Sequence, residues 1–118
     1  MLRKALLTLA ALSAAIAIAA SAFAAHGASE RAANLLRIGG QYQLIHAVAV
    51  LAIYGRPRSI CPAIAMLGGA TLFALSLYAL ALGAPHWFGI ITPFGGGAMI
   101  VGWLWLAVQE GRNIGKRD

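Results

Sequence analysis

The phenol of Tyr42 and the imidazole of His46 are the two side chains of this sequence that are best suited to chemistry. They lie four positions apart, so in a helix both side chains project from one face. The stretch that carries them, residues 38–54, is polar at its start and apolar at its end. If this stretch crosses a membrane, His46 lies roughly 12 Å from the start of the helix. An unpaired polar group at that depth costs a few kcal/mol, so His46 requires a partner.

The composition indicates that lipid surrounds these residues. The chain has 118 residues, of which 61% are hydrophobic and 10% are charged, which is more apolar surface than a soluble domain of this size can bury. Four apolar runs, at residues 6–25, 38–54, 60–82 and 87–108, are each close to the roughly 20 residues that a spanning helix needs. The sequence therefore predicts one all-α domain over residues 1–118, an integral membrane four-helix bundle.

The basic residues predict how the chain is threaded. The chain has nine Lys and Arg against three acidic residues, in short segments between the apolar runs. This scatter argues against a nucleic-acid-binding face. If both termini are cytoplasmic, the basic residues on the inside are Arg3, Lys4, Arg56, Arg58, Arg112, Lys116 and Arg117, and only Arg31 and Arg37 lie outside. The positive-inside rule favours this threading, which predicts a multi-pass protein of the cytoplasmic (inner) membrane.

The first run has an alternative interpretation as a secretory signal peptide. Two basic residues precede it, and the small residues of Ala20-Ser21-Ala22 or Ala22-Phe23-Ala24 could form a cleavage site. The run is about 20 residues long, which exceeds the usual signal core of about 7–15 residues. Its length therefore favours a retained first span.

Two local patterns predict interruptions of the helices toward the outer side of the membrane. Ser29 is placed to cap a short interfacial helix over residues 29–37, and Gly39-Gly40 allows a bend before the second span. In the fourth run, Thr92-Pro93-Phe94 is followed by three consecutive glycines. This combination predicts a kink and a close helix crossing.

Small residues recur along the helices at spacings that allow close packing. In lipid there is little hydrophobic drive between helices, so close backbone approach contributes much of their association. The candidate packing positions are Ser13, Ala17, Ser21, Gly69, Gly95, Gly96, Ala98 and Gly102. One hypothesis is a non-enzymatic accessory protein that packs through these faces against a second copy or a larger membrane protein.

The predicted threading places several polar residues at similar depth in the outer third. The candidate set is His26, Tyr42, His46, Tyr78 and Thr92, with Ser76 beside them. One interpretation is that these groups form hydrogen bonds between helices around a glycine-rich crossing. The other is an outward-facing polar pocket for a metal, a haem, a quinone or a proton, because an ionisable residue inside a membrane is a functional candidate. The cofactor, if any, stays open.

Other chemistry finds little support in the sequence. The four apolar runs contain no Asp or Glu, so the carboxylate that general acid–base catalysis usually employs beside a His is missing from them. The three His residues share no local ligand spacing, and Cys61 is the only cysteine. The sequence therefore predicts no catalytic residue, no metal site and no intrachain disulfide.

With these residues placed, the chain resembles the family of small four-helix membrane proteins that includes the bacterial YgdD and YwdK proteins. The matching segments are Ala25-His26-Gly27, Gln41-Tyr42-Gln43 with His46, Ser76-Leu77-Tyr78, Thr92-Pro93-Phe94-Gly95-Gly96 and Gly102-Trp103. The resemblance covers most of the chain and implies that the first helix is a true span. It implies no activity, because the family has none established.

Overall fold

The computed structural model describes the backbone of residues 1–117 and the side chains of residues 1–112. Four long helices account for most of it: α1 (Leu2–His26), α2 (Glu30–Ile53), α3 (Ile60–Ala81) and α4 (Thr92–Arg117), with a short 3-10 helix (His86–Ile90) before α4. No strand occurs among residues 1–117. The predicted all-α fold is thus confirmed.

Each long helix can cross a bilayer. Every one of them contains an apolar window of suitable length and low charge. The molecule is 53 Å long and about 25 Å wide, whereas the hydrocarbon core of a bilayer is about 30 Å thick. The prediction of four helices capable of spanning a membrane is confirmed, and the ends of the molecule extend beyond the hydrocarbon layer.

The second span is longer than its apolar run. Ser29 accepts a hydrogen bond from the Ala32 amide at 3.3 Å, which confirms it as a cap, but the helix that it starts continues without interruption to Ile53. Gly39 and Gly40 therefore do not form the expected bend. A Cβ at Gly39 would lie 2.7 Å from the Tyr78 ring, and one at Gly40 would lie 2.8 Å from the Ser21 hydroxyl. These glycines allow close helix approach.

The fourth span is divided where the sequence predicted a kink. The 3-10 helix ends at Ile90, and α4 begins at Thr92, so Pro93 lies in the first turn of a new helix. Proline is tolerated there because the first-turn amides have no intrahelical acceptor. The break therefore lies between two helices, and Pro93 does not interrupt the interior of α4.

Helices α2 and α3 occupy the middle of the molecule. Helix α1 packs mainly on α2, α2 packs on α3, and α4 packs on α3 and the 3-10 helix. In the apolar windows of α2 and α3, 44% and 50% of the residues are buried, against 22% and 17% in the first and fourth windows. Helices α1 and α4 are therefore peripheral, with broad faces exposed to lipid.

The two ends of the molecule are named here by the segments they carry. The terminal end carries the start of α1, residues 54–59 and the end of α4, and the hairpin end carries residues 27–29 and 82–91. An apolar cluster toward the terminal end includes Leu6, Ala10, Val50, Ile53, Ala63, Met66 and Leu67. A second cluster toward the hairpin end includes Ala24, Ala33, Leu36, Ala74 and Tyr78. Between them lies a polar layer.

Candidate functional site

The polar layer is centred on Gln43, which is only 2% exposed. Its side-chain Nε2 donates to the Ser13 hydroxyl at 3.0 Å, and its Oε1 accepts a hydrogen bond from the Tyr78 hydroxyl at 2.6 Å. Ser13 is on α1 and Tyr78 is on α3, so one amide joins three helices. In an apolar surrounding these bonds stabilise the packing, since each group would be costly to leave unpaired.

His46 lies on a different face of α2 and has both ring nitrogens occupied. Its Nδ1 is 2.6 Å from the Tyr42 carbonyl oxygen, and its Nε2 is 2.9 Å from the indole Nε1 of Trp103 on α4. A carbonyl only accepts and an indole N–H only donates. The geometry therefore assigns a neutral ring that carries its proton on Nδ1.

The Tyr42 side chain packs in an aromatic group beside this histidine. Its ring centroid is 5.1 Å from that of Phe73, with an edge-on arrangement, and 6.4 Å from the His46 ring. The Tyr42 hydroxyl forms no hydrogen bond with residues 1–112, and the residue is 43% exposed. Tyr42 therefore supplies its backbone carbonyl and its ring to this group.

Ser76 and Thr92 form a separate polar pair near the hairpin end. Their hydroxyl oxygens are 2.6 Å apart, and Ser76 also donates to the Phe73 carbonyl at 2.8 Å. Because Ser76 already donates to that carbonyl, Thr92 is the donor in the contact between the two hydroxyls. This bond ties the first turn of α4 to α3.

The structure distributes the predicted pocket residues over separate places. Tyr42 and His46 are neighbours, whereas Tyr78 belongs to the Gln43 layer and Thr92 bonds to Ser76. His26, at the end of α1, is exposed. Within the described part of the chain, no group of three or more His, Cys, Asp or Glu side chains could hold a metal ion.

The predicted small residues of α3 and α4 meet one another. A Cβ added to Gly69 would lie 2.8 Å from both the Ala98 Cβ and the Gly95 carbonyl oxygen. Gly102 is equally close to α3, because its Cβ would lie 2.8 Å from Met66. Gly96 is at the edge of this crossing, 4.0 Å from the Phe73 ring by the same measure.

The predicted small residues of α1 face α2. Ser21 and Ala17 both lie against Gly40, where an added Cβ would be 3.1 Å from the Ala17 carbonyl oxygen. Ser13 is part of the Gln43 layer. The small-residue faces on α1, α3 and α4 are therefore occupied by helices of the same chain.

Charged groups connect the segments at the terminal end. Arg3 donates to the carbonyl of Tyr54 and, at 3.2 Å each, to the Arg56 carbonyl and the Ser59 hydroxyl. Arg56 in turn forms a two-point ion pair with Glu110 of α4. A cation at the carbonyl end of α2 complements the helix dipole. These contacts therefore hold the loop 54–59, which connects α2 to α3, against α1 on one side and α4 on the other.

Gln43 and Trp103 were not predicted to be members of the polar group. Gln43 is one of the few side chains in the second apolar run that can donate and accept at once, and this capacity is the signal that could have identified it. Trp103 has a single donor, its indole N–H, and the residue that accepts from it depends on how α4 is rotated about its axis. The spacing within one helix does not contain that information.

Comparisons with known proteins agree on the family. Residues 20–96 match the family model described as "Protein of unknown function (DUF423)". The chain is 39% identical to a UPF0382 membrane protein of Haemophilus influenzae over 86% of this chain and 89% of the relative. It is 35% identical to a UPF0382 membrane protein of Staphylococcus saprophyticus, over 89% of this chain and 95% of the relative. It is 33% identical to the UPF0382 membrane protein YwdK of Bacillus subtilis, over 89% of this chain and 94% of the relative.

No solved structure matches the chain. The family match covers more than half of the sequence, and the relatives align over nearly their whole length. The resemblance to YwdK-type proteins that the motifs indicated is confirmed by these comparisons. The chain therefore belongs to the DUF423 family of membrane proteins.

Proposed function

We propose that this chain is a non-enzymatic accessory protein of the cytoplasmic membrane that acts by associating with other membrane components. The supporting observation is that polar side chains inside the spans bond to other helices of the chain. Gln43, His46 and Ser76 are 2%, 4% and 4% exposed, and each has a partner on another helix. A group held in this way stabilises helix packing and is not available to bind a substrate.

The association would use faces other than the small-residue ones. Gly69, Ala98 and Gly102 lie in the contact between α3 and α4, so a partner cannot reach them without separating those helices. The broad outer face of α4 is open to lipid, and it exposes large side chains such as Ile100 and Leu104. A second copy or a larger membrane protein is the expected partner.

Cysteine cross-linking in native membranes tests this proposal. In a Cys61→Ser background, a cysteine at Leu104 on α4 is compared with one at Ile18 on α1, because the two positions are 61% and 59% exposed. We expect an adduct of defined mass from at least one position. Absence of any adduct from both positions, with the protein present at its normal level, would contradict an accessory role through lateral association.

We propose further that the terminal end faces the cytoplasm. Among the described side chains, Arg3, Lys4, Arg56, Arg58 and Arg112 lie at that end, while Lys116 and Arg117 lie outside the described side chains. The basic residues toward the hairpin end are Arg31 and Arg37. This distribution supports both termini being inside.

Cys61 provides a direct test of this orientation, since it is exposed at the terminal end. An impermeant maleimide should label Cys61 in inverted membrane vesicles and leave it unlabelled in intact cells or right-side-out vesicles. Labelling from the outside of intact cells would reverse the proposed threading.

A ligand-binding or proton-handling role around Tyr42 and His46 is the rival proposal. Its support is that Tyr42 is 43% exposed and that its hydroxyl forms no hydrogen bond with residues 1–112. The role would require the Trp103 indole to leave His46 Nε2. Purified protein would then show a haem band, a bound metal or a lipid-soluble ligand, and each would be lost in His46→Ala. Protein without any of them, together with a normal phenotype of His46→Ala, would rule out this role.

A further inference from the structure

A groove of about 680 Å³ runs between α1 and α3, with Gln43 of α2 at its floor. Nine of its thirteen lining residues are Leu or Ile, from Leu2 near the terminal end to Ile16 on α1 and Leu75 on α3. The fourteen residue steps from Leu2 to Ile16 correspond to about 21 Å along the helix. The groove thus begins at the terminal end and continues past the middle of α1.

The surface of this groove resembles hydrocarbon. Its three polar lining residues have their polar atoms engaged: Ser13 and Gln43 bond to each other, and the Thr71 hydroxyl donates to the Leu67 carbonyl at 2.7 Å. Gly68 also lines the groove, and a Cβ there would meet nothing within 4 Å. The groove therefore offers an apolar channel without an orienting polar group along its length.

The form and lining of the groove favour a lipid chain. The groove is open to its surroundings over about 21 Å, and its lining is mostly aliphatic. In a spanning protein this opening faces the hydrocarbon of the bilayer. Acyl chains of the surrounding lipid are therefore the groups that reach it directly.

The terminal end of the groove is electropositive. Helices α1 and α3 both start there, and neither has a side-chain cap or an acidic residue in its first turn. Their free amides and helix dipoles favour an anion. Arg58 is exposed at the same end, and it forms no ion pair with the described residues. An anionic headgroup would complement this charge.

We propose that the groove is a binding site for one anionic phospholipid. An acyl chain lies between α1 and α3, and the phosphate lies at the terminal end close to the starts of both helices. The acyl chain contributes apolar contact and the headgroup contributes charge selectivity. This inference does not depend on the proposed accessory role, because a bound lipid is compatible with any partner.

Native mass spectrometry with defined lipids tests the site. The full-length protein in mild detergent is titrated with phosphatidylglycerol or phosphatidylcholine that carry identical acyl chains. We expect one phosphatidylglycerol per chain, bound about tenfold more tightly than phosphatidylcholine. Equal retention of the two lipids by the wild-type protein would overturn the proposal.

Gly68→Leu fills the groove, and Gly97→Leu is its matched control. Both glycines lie within long helices and have nothing within 4 Å of an added Cβ, but only Gly68 lines the groove. We expect Gly68→Leu to lower phosphatidylglycerol retention at least tenfold and Gly97→Leu to leave it unchanged. Equal thermal unfolding of both variants excludes a folding defect. Undiminished lipid binding by Gly68→Leu contradicts the site.

The headgroup contact is tested separately with Arg58→Asn. Asn is chosen because Arg58 has a φ of 61°, a left-handed conformation that Asn tolerates. We expect this variant to bind both lipids with equal, weak affinity. Full selectivity in this variant would overturn the assignment. Two other results would also overturn it: a native extract whose only bound lipid is a neutral isoprenoid, or a dimer of the wild-type protein that is lost in Gly68→Leu.

Discussion

The indole of Trp103 donates a hydrogen bond to the imidazole of His46 and thereby joins two helices whose backbones do not meet. The N–N distance is 2.9 Å, while no Cα atoms of α2 and α4 lie within 8 Å of each other in the described residues. The bond passes beside α3, on which both helices pack. A pair of polar side chains thus closes a gap that backbone packing leaves open.

This relationship predicts the tautomer of His46. Because Nε2 accepts from Trp103 and Nδ1 donates to the Tyr42 carbonyl, nitrogen-15 NMR of histidine-labelled protein should show a protonated Nδ1 and an unprotonated Nε2. Trp103→Phe removes the donor and should change the Nε2 signal, and Trp105→Phe should leave it unaltered. A ring protonated on Nε2 in the wild-type protein would refute the geometry.

The crossing of α3 and α4 predicts opposite effects for two adjacent glycines. Gly69→Ala places a Cβ 2.8 Å from the Met99 amide and the Gly95 carbonyl, so α4 must shift, at a cost of about 1–3 kcal/mol of unfolding free energy. Gly68→Ala meets no atom within 4 Å and should leave stability unchanged or raise it by up to about 1 kcal/mol. Equilibrium unfolding in mixed detergent measures both, and equal stabilities would contradict the close crossing.

The hydrogen bonds of Gln43 predict that substitutions of Gln43 and Tyr78 have non-additive effects on the free energy of unfolding. Gln43→Leu leaves the Tyr78 hydroxyl and the Ser13 hydroxyl without their partner, and should cost about 1–3 kcal/mol of unfolding free energy. Tyr78→Phe added to Gln43→Leu removes the orphaned hydroxyl, so the double variant should be no less stable than Gln43→Leu alone. A double variant whose loss equals the sum of the two single losses would argue against the bond.

The contacts at the terminal end predict that Arg3 contributes more to stability than Glu110. Arg3 contacts three acceptors around Ser59, which is 1% exposed, whereas the side chains of Arg56 and Glu110 are 44% and 35% exposed. Arg3→Gln should therefore cost about 1–2 kcal/mol, and Glu110→Gln less than about 1 kcal/mol. Unfolding at low and high salt checks this, and only the Glu110 effect should fall strongly with added salt. The reverse order would contradict these contacts.

The helices were predictable because each apolar run is long enough to span and because Ser29 is a suitable cap. Their ends were less predictable. Gly39-Gly40 was expected to bend the chain, yet it lies inside α2, because the missing side chains serve contacts with Tyr78 and Ser21. A glycine pair allows either outcome, and only the neighbouring helix decides between them.

The polar partners could not be predicted from spacing. The pair Tyr42 and His46 was identified by its four-residue interval, but Gln43 is turned by about 100° from Tyr42 around α2 and faces another helix. Which helix each face meets depends on the rotation and order of all four helices. Consequently the sequence predicted a common depth for Thr92 and Tyr78 but not their bonds to Ser76 and Gln43.

A double-mutant cycle between His46 and Trp103 measures whether polar side chains in the spans hold the helices together. Unfolding free energies are measured for His46→Leu, Trp103→Phe and the double variant, with Trp105→Phe in a parallel control cycle. Hydrogen bonds between membrane helices contribute about 0.6 kcal/mol on average and up to about 1.7 kcal/mol. We expect a coupling in that range for His46 with Trp103 and none with Trp105. A coupling of zero between His46 and Trp103 would contradict the account.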